Sequence, residues 1–564
     1  MGKQRMKKHT LASVVSACLG IALVFLVIRP LFVPYLLGTA DGFAHMYRLV
    51  NFDAALSQGV LRPRWIAGAA LGYGAPLFIF NYAVPYYIVD AIYRIGFSIQ
   101  TSSQIYAAIT LMASFGAMYL LVRRLWGTWA GVVSAAVYTF APYHLITTYS
   151  YAAWGEMLAF VFPPLILLCL YTADHVPASE RRQKNIWYTG TVALWVLFIL
   201  THNISSFMMS PVILFLAFIL GKCTWASFVY LMRIAVLVVL LSCFFLLPAV
   251  MLTGTINIPA LLAKEIALRT DYMIPLTQQM RTSYAVLFGQ HIVYKEFTIG
   301  VPIIMVLCFG ALMLVWNGVK KRVSPADWSL VVLLILSLML VDPFFRALYV
   351  FRPLQYVLYP YRFLFLATFS GSVLSGYLFR KSVVAGVLLI VLAVLFGYPF
   401  THPYIELFPF PPSFFSRPQM VGYAVPTLKT MGTAEFLPAT ADMDFLKQEE
   451  HQYLAHGTLP EKFILPVGAG SVSNPVIRQE TLSLAVHAVK DTSLTVSTLY
   501  YPDWKATVDG ASVRVGHDRQ GRIVLAVPRG AHTVKLYFGY STVEYIGGVM
   551  SIIGIVLFIA SLFL

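Results

Sequence analysis

Residues Gly38–Trp65 read GTADGFAHMYRLVNFDAALSQGVLRPRW. The stretch follows the first long apolar segment and is unusually polar for this chain. Asp41, His45 and Arg48 stand at positions i, i+4 and i+7. If the stretch is helical, this spacing places an acid, an imidazole and a guanidinium on one face. That face is the first candidate for a functional site.

The composition indicates a polytopic membrane protein. The chain has 564 residues, of which 59% are hydrophobic and 11% are charged, and its mean hydropathy is +0.75. Soluble domains carry about 25% charged residues. The excess of Lys and Arg behind the net charge of +16 lies in short loops between apolar runs, as the positive-inside rule expects. The charge therefore does not indicate nucleic acid as a partner.

The five cysteines and the N-terminal segment argue against a protein built on disulfides or Cys-bound metal and against a cleaved signal sequence. All the cysteines fall within or beside apolar segments, so neither a disulfide framework nor a Cys-based metal site is indicated. The basic start of the chain resembles a signal sequence. However, its apolar run continues to Leu37, which favours an uncleaved first transmembrane helix.

The apolar runs and basic loops together predict about twelve transmembrane helices. The run 75–97 is interrupted by prolines and charges. We interpret it as a juxtamembrane or re-entrant element, because a crossing there would move Arg123-Arg124 and the later basic loops to the outer face. Both termini are then cytoplasmic, and the stretch Gly38–Trp65 lies outside. The predicted spans are 11–37, 103–122, 127–146, 157–172, 186–201, 204–221, 227–250, 298–317, 328–342, 361–379, 382–398 and 542–564.

These spans divide the chain into three parts. Residues 1–398 form a transmembrane domain with an outer loop at 38–102. Residues 399–541 form an extracytoplasmic domain, which is irregular and Pro-rich over 399–475. Alternating apolar patterns and turn signals predict a β-sandwich over 476–541. Residues 542–564 form the last transmembrane helix.

Asp41 and Glu156 are the candidate catalytic residues, since the predicted topology brings both carboxylates to the same membrane face. Paired acids there suit general-base work on a hydroxyl group or the binding of a divalent metal, and spacing alone does not decide between them. The alternative for Asp41 is a solvated helix cap. No cofactor is assigned with certainty, and a divalent metal stays open.

The candidate binding residues are polar groups at the same face. His202 and Asn203 end a predicted helix, where a His is often a helix-end hydrogen bonder. Arg362 suits a lipid phosphate, because its guanidinium binds phosphate oxygens bidentately. Its alternative is an interfacial arginine that snorkels to the membrane surface. Weaker candidates are Lys264, Arg269, Arg281 and Arg94, and Asp342 is predicted to be a helix-end feature.

Several motifs resemble those of the GT-C membrane glycosyltransferases, specifically the YfhO-like branch, which is also called the pyruvoyl-tetrahydropterin-synthase-related membrane proteins. The likeness spans nearly the whole chain and depends on the order of the motifs. It is carried by Asp41-Gly42-Phe43-Ala44-His45, Gly74-Ala75-Pro76-Leu77-Phe78, Thr201-His202-Asn203, Tyr359-Pro360-Tyr361-Arg362-Phe363, Glu435-Phe436-Leu437-Pro438 and Tyr500-Tyr501-Pro502-Asp503-Trp504-Lys505.

The resemblance implies a GT-C-like transmembrane domain and a polyprenyl-phosphate-linked sugar donor. It also implies a glycan or lipid acceptor outside the cytoplasm and transfer with inversion by single displacement. Asp41 would be the general base, with Glu156 as the second acid. Arg362 and His202 would stabilise the departing phosphate, with Asn203, His45 and Arg48 as helpers. The outer β-domain would bind an acceptor, act as a lid or serve as a packing partner.

Two other classes stay open from the sequence. One is a lipid-linked glycan flippase or another transporter, although few ionisable residues fall within the predicted spans, which weakens an ion-coupled mechanism. The other is a non-catalytic envelope assembly or adhesion protein that displays the β-domain. No P-loop, HExxH or GxSxG motif is present. In every case we expect a multi-pass protein of the plasma membrane.

Overall fold

The fold is known from a computed structural model of the chain. It describes residues 2–33, 39–177, 179–257, 272–289, 297–319, 325–402 and 434–563. Several residues named above lie outside these ranges: Leu37, Gly38, Lys264, Arg269, and the predicted irregular region from 403 to 433.

The described part of the chain is mainly helical. Several helices begin or end at Pro, Gly or Ser, as α6 does at Ser98 and Gly127. The α-helices are α1 (Gly2–Ile28), α2 (Gly42–Ser57), α3 (Ala69–Gly72), α4 (Leu77–Phe80), α5 (Val84–Arg94), α6 (Ile99–Trp126), α7 (Thr128–Thr139), α8 (Pro142–Leu145), α9 (Trp154–Ala159), α10 (Phe162–His175), α11 (Arg181–Thr201), α12 (Asn203–Leu220), α13 (Trp225–Met251), α14 (Leu276–Leu287), α15 (Val301–Val319), α16 (Pro325–Val341), α17 (Arg352–Gln355), α18 (Phe363–Phe379), α19 (Val383–Gly397), α20 (Met443–His456) and α21 (Thr542–Ser561).

The first helix ends earlier, at its C-terminal end, than the sequence predicts. Helix α1 ends at Ile28 and a single turn of 3-10 helix, Arg29–Leu31, follows. Pro30 lacks a backbone N–H group and disfavours helical geometry in the residue before it, so the α-helix stops there although the apolar run continues.

Nine helical segments in the described part of the chain are long and apolar enough to cross a membrane. A bent pair, Trp328–Val341 with Pro343–Val350, raises the number to ten if it counts as one span. The nine are Val14–Leu31, Ile99–Trp126, Trp154–His175, Asn203–Leu220, Trp225–Met251, Val301–Gly318, Pro360–Phe379, Val383–Thr401 and Thr542–Ser561. The protein is thus a multi-pass membrane protein.

Within the described ranges, two of the predicted spans, 127–146 and 186–201, do not meet this measure. The first is divided into α7, which has 12 residues, and the short α8, which begins at Pro142. The predicted span 186–201 lies in α11, which has 21 residues but begins with charged and polar side chains. The run 75–97, which the sequence predicts not to be a full span, forms the short helices α4 and α5, neither of which is long enough to cross a membrane.

A domain of two antiparallel sheets precedes the last helix. The orders are β1-β4-β8-β7 and β2-β3-β9-β5-β6, and buried side chains of both sheets join one core. The strands begin at Phe463, before the predicted start at 476. Strand β2 was not predicted because its residues are mostly exposed and include Pro475, so it lacks the alternation that marks a half-buried strand. The strands are β1 (Phe463–Ile464), β2 (Gly470–Ile477), β3 (Thr481–Ala488), β4 (Thr492–Leu499), β5 (Trp504–Val508), β6 (Ala511–Val513), β7 (Gly516–His517), β8 (Arg522–Val527) and β9 (Gly530–Phe538).

The β-domain is packed against the polar stretch that follows α2. Arg64 is 2% exposed and lies between two carboxylates, 3.2 Å from Glu480 and 3.4 Å from Glu544. Glu480 belongs to the β-domain and Glu544 to α21. The ring of Trp65 packs against that of Trp504 with 5.3 Å between centroids. Removing the arginine would leave buried carboxylates unpaired, which is strongly unfavourable.

Candidate active site

Asp41 stands immediately before α2, in the N-cap position, and its backbone is fixed on both sides. Its N–H donates to the carbonyl oxygen of Tyr151 at 2.9 Å, and its own carbonyl accepts from the His45 N–H at 2.9 Å. The Asp41 side chain makes no capping hydrogen bond to α2. The helix-cap alternative is therefore not what the geometry shows, and the carboxylate is available for another contact.

The Asp41 side chain combines exposure to solvent with close enclosure by protein. The residue is exposed to solvent, yet protein atoms lie densely around it on most sides. This enclosure raises the pKa of Asp41 above its ordinary value, while the guanidinium groups of Arg48 and Arg362 act in the opposite direction. A carboxylate that is accessible, enclosed and near two cations suits binding of a polar or anionic substrate.

The backbone beside Asp41 leaves little space for a side chain at Gly42. A Cβ atom on Gly42 would lie 2.1 Å from Thr39 Oγ1 and 3.3 Å from the Cβ of Ala152. Ala152 itself has φ +49°, a conformation that is unfavourable for a residue with a side chain. It follows a turn of π-helix, Ile146–Tyr151. Irregular helices and positive φ values are found often at functional sites.

His45 lies one turn further along α2 and points into the protein. Its Nδ1 is 2.7 Å from the hydroxyl oxygen of Tyr86, and its ring stacks on that of Trp154 with 5.1 Å between centroids. Burial holds the pKa of His45 well below its ordinary value, and the nearby charge of Arg48 adds to the effect. The imidazole is therefore neutral at physiological pH.

Arg48 completes the helical face that the i, i+4, i+7 spacing predicts. It is 8% exposed, and the hydroxyl group of Tyr86 is its hydrogen-bond partner. Tyr86 thus contacts both His45 and Arg48, and it ties α5 to the polar face of α2.

Glu156 lies on α9 and is 6% exposed. Its Oε1 accepts a short hydrogen bond from the hydroxyl group of Tyr143. The charge of Arg362 acts favourably on this carboxylate, and the charge of Asp41 acts unfavourably. Glu156 and Asp41 are therefore two acids that share one arginine, with Glu156 on the buried side and Asp41 on the accessible side.

Arg362 lies at the start of the span Pro360–Phe379. Its Nη1 donates to the carbonyl oxygen of Val357 at 2.9 Å, and its guanidinium lies 5.0 Å from the centroid of the Tyr359 ring. Among the described residues its Nε has no hydrogen-bond partner. A buried guanidinium N–H without a partner is costly unless a ligand or water meets it. The alternative of an arginine that snorkels to the membrane surface fits this enclosed position poorly.

His202 and Asn203 lie at the junction of α11 and α12. His202 is a helix cap: its Nδ1 accepts from the Ser205 N–H at 3.2 Å and lies 2.7 Å from the Ser205 hydroxyl oxygen. Its ring meets that of Tyr82 edge-on at 5.3 Å. Asn203 Oδ1 accepts from the Ile204 N–H at 3.0 Å. The geometry thus shows the helix-end role, and both residues lie at the edge of the cluster.

Three of the weaker candidates have structural surroundings of their own. Arg94 pairs with Asp53 at 2.7 Å and with Asp90 at 2.6 Å, which joins α5 to α2. Asp342 caps the helix turn after it, since its Oδ1 accepts from the Phe344 N–H at 3.0 Å. Arg281 lies exposed on α14.

The cluster also contains aromatic residues that sequence reasoning missed. Tyr143 donates a hydrogen bond to Glu156. Tyr86 contacts both His45 and Arg48, and Trp154 stacks on His45. Tyr86 lies in the first turn of α5, but no local spacing connects it to α2. In the described part of the chain, no group of three or more His, Cys, Asp or Glu side chains is arranged to hold a metal ion.

The fold and the site define a multi-pass membrane protein with an enclosed, charged cluster beside a docked β-domain. No protein-family model and no curated protein matches the chain. An oligosaccharyltransferase from Archaeoglobus fulgidus, solved with Zn and sulfate, is similar in structure at TM-score 0.45 and 13% identity, over 78% of this chain and 57% of its own. Arabinofuranosyltransferase AftD from Mycobacteria is similar at TM-score 0.42 and 14% identity, over 69% of this chain and 26% of its own.

ArnT from Cupriavidus metallidurans, bound to undecaprenyl phosphate, is similar at TM-score 0.29 and 14% identity, over 64% of this chain and 77% of its own. The first two are transferases by name. The chain spans less than two thirds of the length of the first two. At such low TM-scores these likenesses carry no argument about the activity of this chain.

Proposed function

We propose that the protein is a membrane glycosyltransferase of the YfhO-like GT-C branch. It moves a sugar from a polyprenyl-phosphate-linked donor to an acceptor outside the cytoplasm, which is a cell-envelope glycan, lipid or polymer. In this proposal both termini are cytoplasmic and the site opens on the outer face of the plasma membrane. The sequence motifs support this class of donor, and the geometry of the charged cluster supports the roles proposed for its residues.

The observation that carries the proposal is the setting of Asp41. Asp41 is exposed to solvent although protein surrounds it closely, its side chain makes no helix-capping bond, and the charges of Arg48 and Arg362 act on it. An accessible base beside cations is the arrangement that proton abstraction next to a phosphate requires.

In the proposed reaction the acceptor hydroxyl oxygen attacks the anomeric carbon of the donor. The bond between that carbon and the phosphate oxygen breaks, and the configuration inverts because the displacement is single. The hydroxyl proton passes to the Asp41 carboxylate, and the electron pair of the broken bond stays on the lipid phosphate. The reaction is therefore balanced without a redox partner.

The guanidinium groups stabilise the negative charge that grows on the departing phosphate. Arg362 has an Nε without a partner among the described residues, so a phosphate oxygen would satisfy it. Glu156, held by Tyr143, keeps Arg362 oriented and charged. His45 and His202 are already hydrogen-bonded within the protein, and their proposed role is to shape the pocket around the charged groups.

The test is Asp41→Asn in a transfer assay with purified protein. The donors are polyprenyl phosphates that carry radiolabelled glucose, mannose, galactose or arabinose, and short oligosaccharides are the acceptors. We expect transfer to fall by about 100- to 10,000-fold, which is the usual contribution of a general base. The thermal midpoint of unfolding should change little, because Asp41 is exposed to solvent.

The matched control is Asp444→Asn, since Asp444 is a side chain 89% exposed on α20. This variant should keep wild-type transfer. Wild-type activity in Asp41→Asn would overturn the assignment of the base. Movement of donor lipid across vesicles, equal in wild type and Asp41→Asn and without any transfer, would favour a flippase instead.

A further inference from the structure

The chain turns sharply where α16 ends. The segment Trp328–Val341 and the 3-10 helix Pro343–Val350 meet at 91°. Asp342 fixes the corner, because its Oδ1 accepts from the Phe344 N–H at 3.0 Å and its Oδ2 from the Leu276 N–H at 3.2 Å. Spanning helices tilt on average by about 20° from the bilayer normal. A right-angled turn from such a helix therefore runs close to the bilayer plane.

The residues after the corner expose large apolar side chains. Phe344 is 84% exposed, Val350 82%, Phe351 64% and Tyr356 68%. We call Pro343–Tyr356 the interface segment. A soluble surface rarely exposes so many large apolar groups together. Here the patch continues an apolar side of α16, where Ile335 is 40% exposed and Leu336 45%.

The interface segment also carries two exposed arginines, Arg346 and Arg352. Within the described ranges neither forms an ion pair with a carboxylate. Guanidinium groups bind phosphate oxygens in a bidentate manner, and cations at the membrane surface are attracted to anionic headgroups. Apolar side chains and arginines on one in-plane segment fit the boundary between acyl chains and phosphates.

We propose that the interface segment lies in the headgroup layer of the leaflet on the side of Asp41, and that its partner is the phospholipid surface. Phe344, Val350 and Phe351 insert among the acyl chains. Arg346 and Arg352 bind the phosphates of anionic phospholipids. The pair of α16 and the interface segment is thus one span followed by an in-plane segment, and it is not a re-entrant loop.

The main chain connects this membrane contact to the charged cluster. The Val357 carbonyl oxygen, just beyond the interface segment, accepts from Arg362 Nη1 at 2.9 Å. Between them Leu358 has φ +68°, which is a strained conformation for a residue with a side chain. Membrane contact therefore holds the strained turn that orients Arg362. This last step rests on the proposed role of Arg362, whereas the membrane contact itself does not.

The test places a tryptophan at the tip of the segment. Phe344→Trp is reconstituted in vesicles of phosphatidylglycerol and brominated phosphatidylcholine, and wild-type fluorescence is subtracted because the chain has 10 tryptophans. We expect bromines near the headgroup to quench the new fluorescence several-fold more than bromines at the chain ends. The control is Val467→Trp, at a position of the β-domain that is fully exposed, which should show no quenching.

Equal quenching in Phe344→Trp and Val467→Trp would overturn the proposal, and stronger quenching by the deep bromines would show a re-entrant loop instead. A second variant tests the arginines: Arg346→Glu with Arg352→Glu, added to Phe344→Trp, should reduce the quenching several-fold on anionic vesicles. Unchanged quenching would overturn the phosphate contacts. The measurement needs no sugar transfer, so a protein without transfer but with shallow quenching would overturn only the proposed function.

Discussion

The Asp41 carboxylate is subject to two opposing effects. Enclosure by protein raises its pKa, because the charged form loses hydration, while Arg48 and Arg362 favour the charged form. A general base must be ionised to accept a proton. Transfer should therefore fall as the pH drops through the pKa of Asp41. The pH at which it falls, which is the acid limb of the pH–rate profile, reports on the balance between the two effects.

Removing one cation should move the acid limb. In Arg48→Gln the enclosure of Asp41 remains, but a neighbour that lowers its pKa is lost. The pKa of Asp41 then rises, so transfer should be lost at a higher pH than in wild type. The measurement is the pH dependence of kcat/KM, which reports ionisations of the free enzyme.

The control for this shift is Arg519→Gln, which removes an exposed arginine of the β-domain. It should leave the acid limb in place. An acid limb at the wild-type pH in Arg48→Gln, or a shift toward lower pH, would contradict the assignment of Asp41 as the titrating base.

At the scale of elements, the start of α2 is fixed by tight packing against the π-helical turn before α9. Thr39 Oγ1 accepts from the Gly42 N–H at 3.2 Å, and Ala152 lies on the other side. This contact places Asp41 beside the chain that leads to Glu156. The ion pair of Arg94 with Asp53 joins the other end of α2 to α5, and the pair of Arg94 with Asp90 lies within α5. The helix is thus held at both ends.

Gly42→Ala should displace Asp41, because the new Cβ would lie 2.1 Å from Thr39 Oγ1. A shift of about 1 Å in a catalytic group can cost about 100-fold in rate, and we expect a loss of that order in kcat. Thr39→Ala in the same chain removes the oxygen that the new methyl group meets. The double variant should recover much of the lost activity.

Gly116→Ala is the control for this pair, since a Cβ at Gly116 of α6 meets nothing within 4 Å. It should behave as wild type. If Thr39→Ala brought no recovery in kcat, the steric explanation for the effect of Gly42→Ala would be wrong.

At the scale of the whole molecule, the β-domain is a structural partner of the membrane helices. Lys462 Nζ donates to the carbonyl oxygens of Gly72 and Ser497, each at 2.7 Å. The Leu499 N–H donates to the carbonyl of Tyr73 at 2.7 Å. The residues Gly72 and Tyr73 follow the strained turn of α3 and precede the run that leads to Tyr86. The packing-partner role expected for the β-domain is thus visible, and acceptor binding stays a prediction.

The Lys462 contact makes the stability of the protein depend on pH. Burial lowers the pKa of Lys462 from 10.5 to about 7, and two carbonyls match the two N–H groups of a neutral amine. Between these values the unfolded chain binds more protons than the folded chain. Stability should therefore rise with pH across this window, by up to about 1.4 kcal/mol per pH unit.

Lys462→Met should remove this slope, and the measurement is the thermal midpoint of the purified protein from pH 7 to pH 10. Enclosure also raises the pKa of Asp503 to about 7, but that carboxyl lowers stability only as the pH rises toward 7. It therefore contributes no slope above that value. Lys490→Met, at an exposed position, should keep the wild-type slope. The same slope in Lys462→Met would show that another group is responsible.

Much of the fold could be predicted because the signals are local. Hydropathy over windows of about twenty residues predicts spans, and alternation over a few residues predicts the strands that precede α21. The i, i+4, i+7 face of Asp41, His45 and Arg48 was predicted in the same way and is helical as expected. The prediction was wrong at Pro30 and before Pro142, where proline ends a helix inside a long apolar run.

A multi-pass membrane protein with a β-domain before its last helix can be predicted from the amino-acid sequence, because periodicity and hydropathy depend on neighbours in the chain. Which charges meet depends on the tertiary structure. Three pairs come together only through the packing of whole helices and sheets: Asp41 with Arg362, Glu156 with Tyr143, and Arg64 with Glu480. Burial then sets how strongly each pair interacts, since a charge away from water is stabilised only by its neighbours.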